Sequence, residues 1–314
     1  MKAQGIYMVE PGKVEVRELD VPDPGPGEVQ VRCLANGICM GEVSLFLGWE
    51  PLSGPRLVGH EGVGVVTKLG PSVGGLAEGD IVTCGPWASV SNYPASALCR
   101  FTSPPTDPAT ALAEPVACVV GALYSYDITP GDRVLLLGAG FMGLLNVQGV
   151  AHSPVKQLVV VDVKPENLEL AARFGATEVL QAGTTEADER LGEIRQDPFD
   201  LVIEAADVEA TLQQAGALTR PGGRLAIFAW HHHPRTVDFG LWHVRGLRVL
   251  NSSPQISRDR NVSNMKRAVD LIERGVFDLA LLVTHRHRIC EAQEAMELAA
   301  ERPRGYVKGV FLFD

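Results

Sequence analysis

Residues 133–162 read RVLLLGAGFMGLLNVQGVAHSPVKQLVVVD. Two short apolar runs of strand length, 133–137 and 157–162, flank a stretch at 140–151 that reads as a helix. Between the first strand and the helix stands Gly138-Ala139-Gly140-Phe141-Met142-Gly143, a GxGxxG pattern. In that context the first glycine permits a tight turn. The second lets a pyrophosphate approach the backbone, and the third lets the helix pack on the strand. The helix N-terminus adds N–H groups and the positive end of its dipole. Asp162 ends the next strand, 19 residues after Gly143, where an acidic side chain bonds a ribose 2′-OH. A carboxylate there repels a 2′-phosphate, which favours NAD over NADP, although Lys164 lies close. Gly138, Gly140, Phe141, Met142, Gly143 and Asp162 are therefore the expected cofactor-binding residues. The plain alternatives are three glycines of an ordinary turn and an aspartate capping a strand.

Downstream the alternation continues. PENLELAARFG reads as a helix with Pro165 in its first turn and Gly175 as its stop. DLVIEA, a helix around VEATLQQAGAL, a turn at RPGG, and the strands RLAIFAW and LRVLN follow. Strands alternating with helices predict a parallel sheet covered on both faces. Residues 1–113 have another texture: VEVREL, EVQVRCLA, LVGHEGVGVVTKLG and DIVTCG, broken by PDPGPGE, GPSVGG and SPPTDP. Period-2 apolar runs between Gly/Pro clusters predict an all-β unit. After 253 come an amphipathic helix carrying Val262, Met265, Val269 and Ile272, a second helix near EAQEAMELAAE, and a terminal strand YVKGVFLF.

The 314 residues suffice for about two domains. Lys and Arg number 28 against 38 Asp and Glu, a net charge of −10, which disfavours nucleic acid or an anionic membrane as a partner. An apolar content of 46% supports a sizeable core. No stretch approaches ~18 uninterrupted apolar residues, so no membrane span is expected. The N-terminus lacks the apolar run of a secretory signal, and the six scattered cysteines do not suggest a disulfide framework. The expected location is cytoplasmic.

Four potential metal ligands stand in distinctive settings: Cys39 in NGICMGEV, His60 and Glu61 in VGHEGVG, and Glu114 in LAEPVAC. Thiolate, imidazole and carboxylate all bind zinc, and a catalytic zinc keeps one position open or exchangeable. The bland reading makes Cys39 a buried small residue and His60 a satisfied core histidine. These segments carry a resemblance. The chain is similar nearly end to end to zinc-dependent medium-chain dehydrogenases/reductases, the alcohol and polyol dehydrogenase superfamily. GICMGEV resembles that family's ligand segment, GHEGVGVV its GHE box, and LAEPVAC the EP segment of the sorbitol dehydrogenase-like branch. LLLGAGFMG and LVVVD resemble its nucleotide-binding half, and YVKGVF its closing strand.

The resemblance implies an α/β architecture: a Rossmann doubly wound parallel sheet over 117–253, inserted into a partly open, GroES-like β-barrel catalytic domain made of 1–116 and 254–314. It implies one catalytic zinc on Cys39, His60 and Glu61 or water, with Glu114 as fourth or exchanging ligand, and NAD as the second cofactor. It places the active site in the cleft, with zinc on one wall and nicotinamide on the other. It also places Lys308 at the cofactor pyrophosphate. Three departures matter. No four-cysteine lobe follows Gly79-Asp80, so no structural zinc is expected. Gly41 stands where relatives carry a proton-relaying Ser or Thr, which leaves Ser44, or Glu114 with water, as the candidate relay; Glu42 replaces the Asp that supports the ligand histidine. Asn167 replaces an arginine that holds the adenine side. Trp49, Trp87, Trp230 and His231 are expected near the substrate.

The activity implied is hydride transfer between NAD and a secondary alcohol or ketone, by branch a polyol, sugar or cyclitol, in a homodimer or homotetramer. Two other readings stand: a zinc-free NAD(P)H-dependent reductase of the same superfamily, and a nucleotide-binding protein without turnover.

Overall fold

The computed structural model of the chain describes residues 1–252 and 258–313. It forms two compact units, Met1–Ala117 with Val262–Asp314, and Cys118–Asn261. The expected boundary at 253/254 and the Val262 side chain lie outside the described residues.

The first unit carries β1 (Lys2–Glu10), β2 (Lys13–Asp20), β3 (Glu28–Gly37), β4 (Arg56–Leu57), β5 (Gly62–Leu69), β6 (Ile81–Cys84) and β7 (Val90–Pro94). The second carries β8 (Arg133–Leu137), β9 (Gln157–Asp162), β10 (Glu178–Gln181), β11 (Phe199–Glu204), β12 (Thr219–Ile227) and β13 (Arg248–Asn251). The chain then returns to the first unit with β14 (Val283–Arg288) and β15 (Lys308–Leu312).

In the first unit β1 pairs antiparallel with β2 and β4, and a larger sheet runs β14-β15-β3-β5-β6 with β7 also on β3. Its core gathers the inward residues of both sheets, among them Ile6, Met8, Val29, Val31, Trp87 and Phe311, all 0–1% exposed. A short helix α1 (Met40–Phe46) follows β3 directly, with Cys39 as its N-cap. This link places a thiol at the end of the central strand.

Helix α2 (Ala113–Tyr126) leads out of the first unit and into the second. By length and composition Pro108–Tyr126 could cross a membrane, which a search for uninterrupted apolar runs does not reveal because Glu114 breaks it. Its most apolar window is 61% buried inside the fold, as in a core helix.

The second unit is a six-stranded parallel sheet in the order β10-β9-β8-β11-β12-β13. The order reverses between β8 and β11, the switch point at whose carboxyl-terminal edge doubly wound folds take ligands. Helices α3 (Phe141–Ala151) and α4 (Pro165–Arg173) follow β8 and β9. RPGG, expected as a turn, is instead an irregular stretch within β12: Phe199 faces Thr219, but Leu201 faces Arg224, so 220–223 bulge out. Gly222 supports this with a φ of 69°.

Candidate active site

The ligand candidates are held by local structure. Cys39 caps α1, and its Sγ accepts from Gly41 N at 3.5 Å. Glu42, three residues on, returns its carboxylate to Cys39 N at 3.2 Å, a capping box. The other Glu42 oxygen accepts from Gly59 N at 3.2 Å and lies 2.7 Å from His60 Nδ1. One buried carboxylate thus fixes the thiol's backbone and the imidazole together. Nδ1 is committed to Glu42, which leaves Nε2 for a ligand, the carboxylate–histidine arrangement found behind metal-bound imidazoles. Glu114 Oε2 lies 3.9 Å from that Nε2.

The loop Gly59–Gly62 owes its path to close packing. Gly59 has φ 101°, and a Cβ there would lie 2.3 Å from the Trp87 ring. Asn36, fully buried, accepts from Glu61 N at 3.1 Å and donates to Gly85 O at 2.7 Å. Two groups of ligand atoms result, each within 4.8 Å: Cys39, Glu42 and His60; and His60, Glu61 and Glu114. His60 belongs to both.

Burial pushes the Cys39 thiol up to about 11, with the Glu61 charge adding to it. Burial works against a charged His60, but hydrogen bonds to Cys39 and Glu42 outweigh it and hold the imidazole far above its usual range. The cluster therefore attracts positive charge. Glu61 Oε2 is buried without a hydrogen-bond donor in line; Lys308 Nζ lies 2.5 Å away as an ion pair. Thiol, imidazole and two carboxyls, one of them buried, suit a divalent cation of borderline softness such as zinc.

Several expected residues sit elsewhere. Lys308, expected at a pyrophosphate, is 4% exposed; its ammonium pairs with Glu61 and donates to Ile38 O at 2.9 Å. Trp87, expected near the substrate, is fully buried, donates to Gly37 O at 3.0 Å and packs edge-on against Phe311. It is the support behind the Gly59–Glu61 loop. Ser44 is also fully buried, and its hydroxyl lies 2.8 Å from Gly41 O and 3.2 Å from Glu50 Oε1, which leaves it poorly placed as a relay. Trp49 is 42% exposed, in the turn after α1. Trp230 is exposed and stacks on His232 with centroids 4.9 Å apart. His231 turns inward, Nε2 lying 2.8 Å from Glu204 Oε2. A substituent at Gly41 would meet only Cys39 Sγ, at 4.0 Å, so the position that lacks a hydroxyl has room for one.

In the second unit the glycine motif adopts the geometry its spacing demands. Gly138 has φ 100°, and a Cβ on Gly143 would lie 2.1 Å from Gly138 O, so helix and turn touch backbone to backbone. A Cβ on Gly140, the N-cap of α3, would meet nothing within 4 Å, and no side chain caps the helix there. Phe141 and Met142 open α3. Open space over uncapped N–H groups is the cradle a pyrophosphate requires. Asp162 reaches into the same turn: its oxygens accept from Ala139 N at 2.6 Å and Lys164 N at 2.8 Å. Asn167 lies buried in the first turn of α4.

Sequence spacing did not single out Asn36, the Lys308–Glu61 pair, or the partners of His231. Each depends on contacts between segments far apart in the chain, and none belongs to a local motif.

Residues 25–139 match the family described as alcohol dehydrogenase GroES-like domain, and residues 142–274 that described as zinc-binding dehydrogenase. The chain is 26% identical over 354 aligned positions to an uncharacterised zinc-type alcohol dehydrogenase-like protein of Escherichia coli, covering 99% of each. It is 26% identical to a sorbitol dehydrogenase of Bacillus subtilis, covering 92% of this chain and 91% of the relative. Among solved structures, an Escherichia coli protein described as a short chain alcohol dehydrogenase complexed with NADH superposes with a TM-score of 0.88 at 23% identity, 99% of each chain being covered. A candidate zinc-binding dehydrogenase of Sinorhizobium meliloti bound to NADP superposes with a TM-score of 0.85 at 23% identity, again over 99% of each.

Proposed function

The chain belongs to the zinc-dependent medium-chain dehydrogenase/reductase superfamily, and from that premise we propose that it is an NAD-dependent dehydrogenase that uses one zinc ion to interconvert a secondary alcohol and a ketone. The observation that carries this reading is that His60 belongs to two close groups of ligand atoms, one with Cys39 and Glu42 and one with Glu61 and Glu114. A zinc-free reductase has no use for that set. When bound, the ion acts as a Lewis acid that polarises the substrate oxygen and lowers the pKa of its hydroxyl.

The protein's own groups supply the rest. Cys39 and His60 would hold the metal with Glu61 or water, and Glu114 would be the fourth or exchanging ligand; Glu61 otherwise pairs with Lys308. Glu42 orients the imidazole and the thiol. Oxidising an alcohol requires moving one proton away from the substrate hydroxyl. With Gly41 bare and Ser44 bonded to Gly41 O and Glu50, Glu114 is the carboxyl available to take that proton through water. Asp162 holds the adenine ribose of NAD and disfavours a 2′-phosphate, and the Gly138–Gly143 turn with the start of α3 receives the pyrophosphate. NAD, when bound there, would supply the acceptor for the hydride of the carbinol carbon, and ketone reduction would be the reverse.

The substrate class is a polyol, sugar or cyclitol. The EP segment at Glu114 and the sorbitol dehydrogenase relative support it. The protein is cytoplasmic and homo-oligomeric in this reading. The test is turnover of a polyol panel with NAD and with NADP, alongside elemental analysis of the same preparation. One zinc per chain and NAD-linked oxidation of a polyol are the expected results. Equal kcat/KM with NADP, two tightly bound ions, or none would each overturn a stated part.

A further inference from the structure

The nucleotide-binding unit contains a polar chain that the reaction above does not use. Glu204 ends β11, is fully buried, and accepts from Ala206 N at 2.9 Å. The Thr211 hydroxyl lies 2.9 Å from the same oxygen. The other oxygen lies 2.8 Å from His231 Nε2. Arg235 Nε donates to His231 Nδ1 at 3.1 Å, so Nδ1 is the acceptor and Nε2 carries the proton given to Glu204. The same guanidinium donates to Asp207 Oδ1 at 2.7 Å and Asp207 O at 3.0 Å. The order is Asp207–Arg235–His231–Glu204, and it joins the loop after β12 to the turn after β11.

A fully buried carboxylate is costly unless its lone pairs are met. Here they are met by His231 and by the turn itself. Asp207 has φ 56°, a left-handed conformation that a non-glycine residue keeps only when its surroundings hold it. Arg235 grips that residue at both its side chain and its carbonyl. The turn so fixed is the one that closes on the glycine motif: a Cβ on Gly138 would lie 2.8 Å from Ala206 Cα. Ala205 N also donates to Leu137 O at 2.8 Å, tying the turn to the end of β8.

β8 and β11 flank the switch point, and the two halves of a dinucleotide lie on either side of it. Asp162, after β9, marks the adenosine side. The β11 and β12 edges, where His231 and Glu204 stand, face the other half. We propose that His231 is a positioning residue for the nicotinamide half of the cofactor. Through Glu204 and Arg235 it holds the Ala205–Asp207 turn against Gly138, so that the second mononucleotide meets a preformed wall. This rests on the dinucleotide reading given under the proposed function.

The test uses the full-length, zinc-loaded chain and two probes, NADH and ADP. ADP reports the adenosine side and the pyrophosphate cradle, and NADH adds the nicotinamide half. The variants are His231→Ala, which removes the link between both carboxylates, and Asp207→Asn, which keeps the shape and tolerates the left-handed conformation. Losing one or two such hydrogen bonds predicts a Kd for NADH raised about tenfold in His231→Ala, with ADP affinity within about twofold of wild type. Asp207→Asn should weaken NADH in the same sense and by less, and it decides the matter if His231→Ala does not fold. Unchanged NADH affinity in the variants overturns the inference. So does a parallel fall in NADH and ADP affinity, which would mean that the whole unit had loosened. A wild-type chain that binds ADP but not NADH overturns the dinucleotide reading itself, and the inference with it.

Discussion

In the proposed reading two single residues, Asp162 and Glu114, set the cofactor and the proton path. Asp162 stands at the ribose end of the glycine turn, bonded to Ala139 N and Lys164 N. A 2′-phosphate entering there meets its charge and displaces those bonds. A few kcal/mol of repulsion corresponds to roughly 100-fold discrimination or more at 1.4 kcal/mol per tenfold. Asp162→Ser is expected to narrow the NAD preference by raising kcat/KM for NADP, read from initial rates with both cofactors. For the proton, the buried Ser44 hydroxyl is bonded to Gly41 O and Glu50. Ser44→Ala should therefore leave kcat nearly unchanged. Glu114→Gln should lower kcat on the order of 10²-fold and shift the pH–rate profile, as removal of a positioned acid–base group does, with zinc retained by elemental analysis. A silent Glu114→Gln would defeat that assignment.

At the scale of elements, the first unit is organised around the junction of β3 with α1 and the loop entering β5. Trp87 fills the space behind that loop, 2.3 Å from where a Cβ of Gly59 would sit, and nothing smaller could replace it without a void. Trp87→Ala is expected to cost about 3–5 kcal/mol of stability, read from denaturant unfolding. Trp87→Phe should recover part of it, leaving a smaller void and losing the bond to Gly37 O. A loss of activity without loss of stability would instead restore Trp87 to the substrate pocket. The contrast shows which parts the sequence discloses. The glycine motif carries its structure in its spacing, because the turn, the helix start and Asp162 are all local to one strand–helix–strand unit. The metal ligands are spread over 76 positions from Cys39 to Glu114, and only likeness to a family connects them before the fold does. The contacts of Trp87, Lys308 and His231 are not legible in the sequence for one reason: the partner of each, Gly37, Glu61 or Glu204, lies at least 27 residues away. Composition and periodicity describe a residue's own segment and contain no information about such partners. RPGG shows the reverse error, a strong local turn signal absorbed into a strand as a bulge because β11 pairs with β12 both before it, at Thr219, and after it, from Arg224.

At the scale of the whole molecule, each unit has its own core. One gathers around Ile6, Met8, Trp87 and Phe311, the other around Leu135, Val159, Phe199 and Leu225. The outer edge of β13 has no strand partner among the described residues, and Val249 on it is exposed. An open strand edge with an apolar side chain invites pairing with a second copy. Light scattering of the intact chain should give a dimer or tetramer, and Val249→Lys should shift it toward smaller species. Ligand effects are expected to divide along the two cores. A ligand that binds only the folded state stabilises it by RT ln(1 + [L]/Kd), about 2.7 kcal/mol at 100 times Kd. Local opening reports that gain only where the ligand's contacts must break first. If zinc is held by Cys39, His60, Glu61 and Glu114 as proposed, adding zinc to chelator-treated protein should slow amide exchange in α1, the end of β3 and residues 59–62. ADP should slow it in residues 138–144 and around Asp162 and leave the zinc segments unchanged. Hydrogen-exchange mass spectrometry on the full chain reads both patterns in one experiment. Zinc protecting residues 138–162 as strongly as residues 37–62 would show that the metal is held elsewhere, and would remove the main support for assigning its ligands to the first unit.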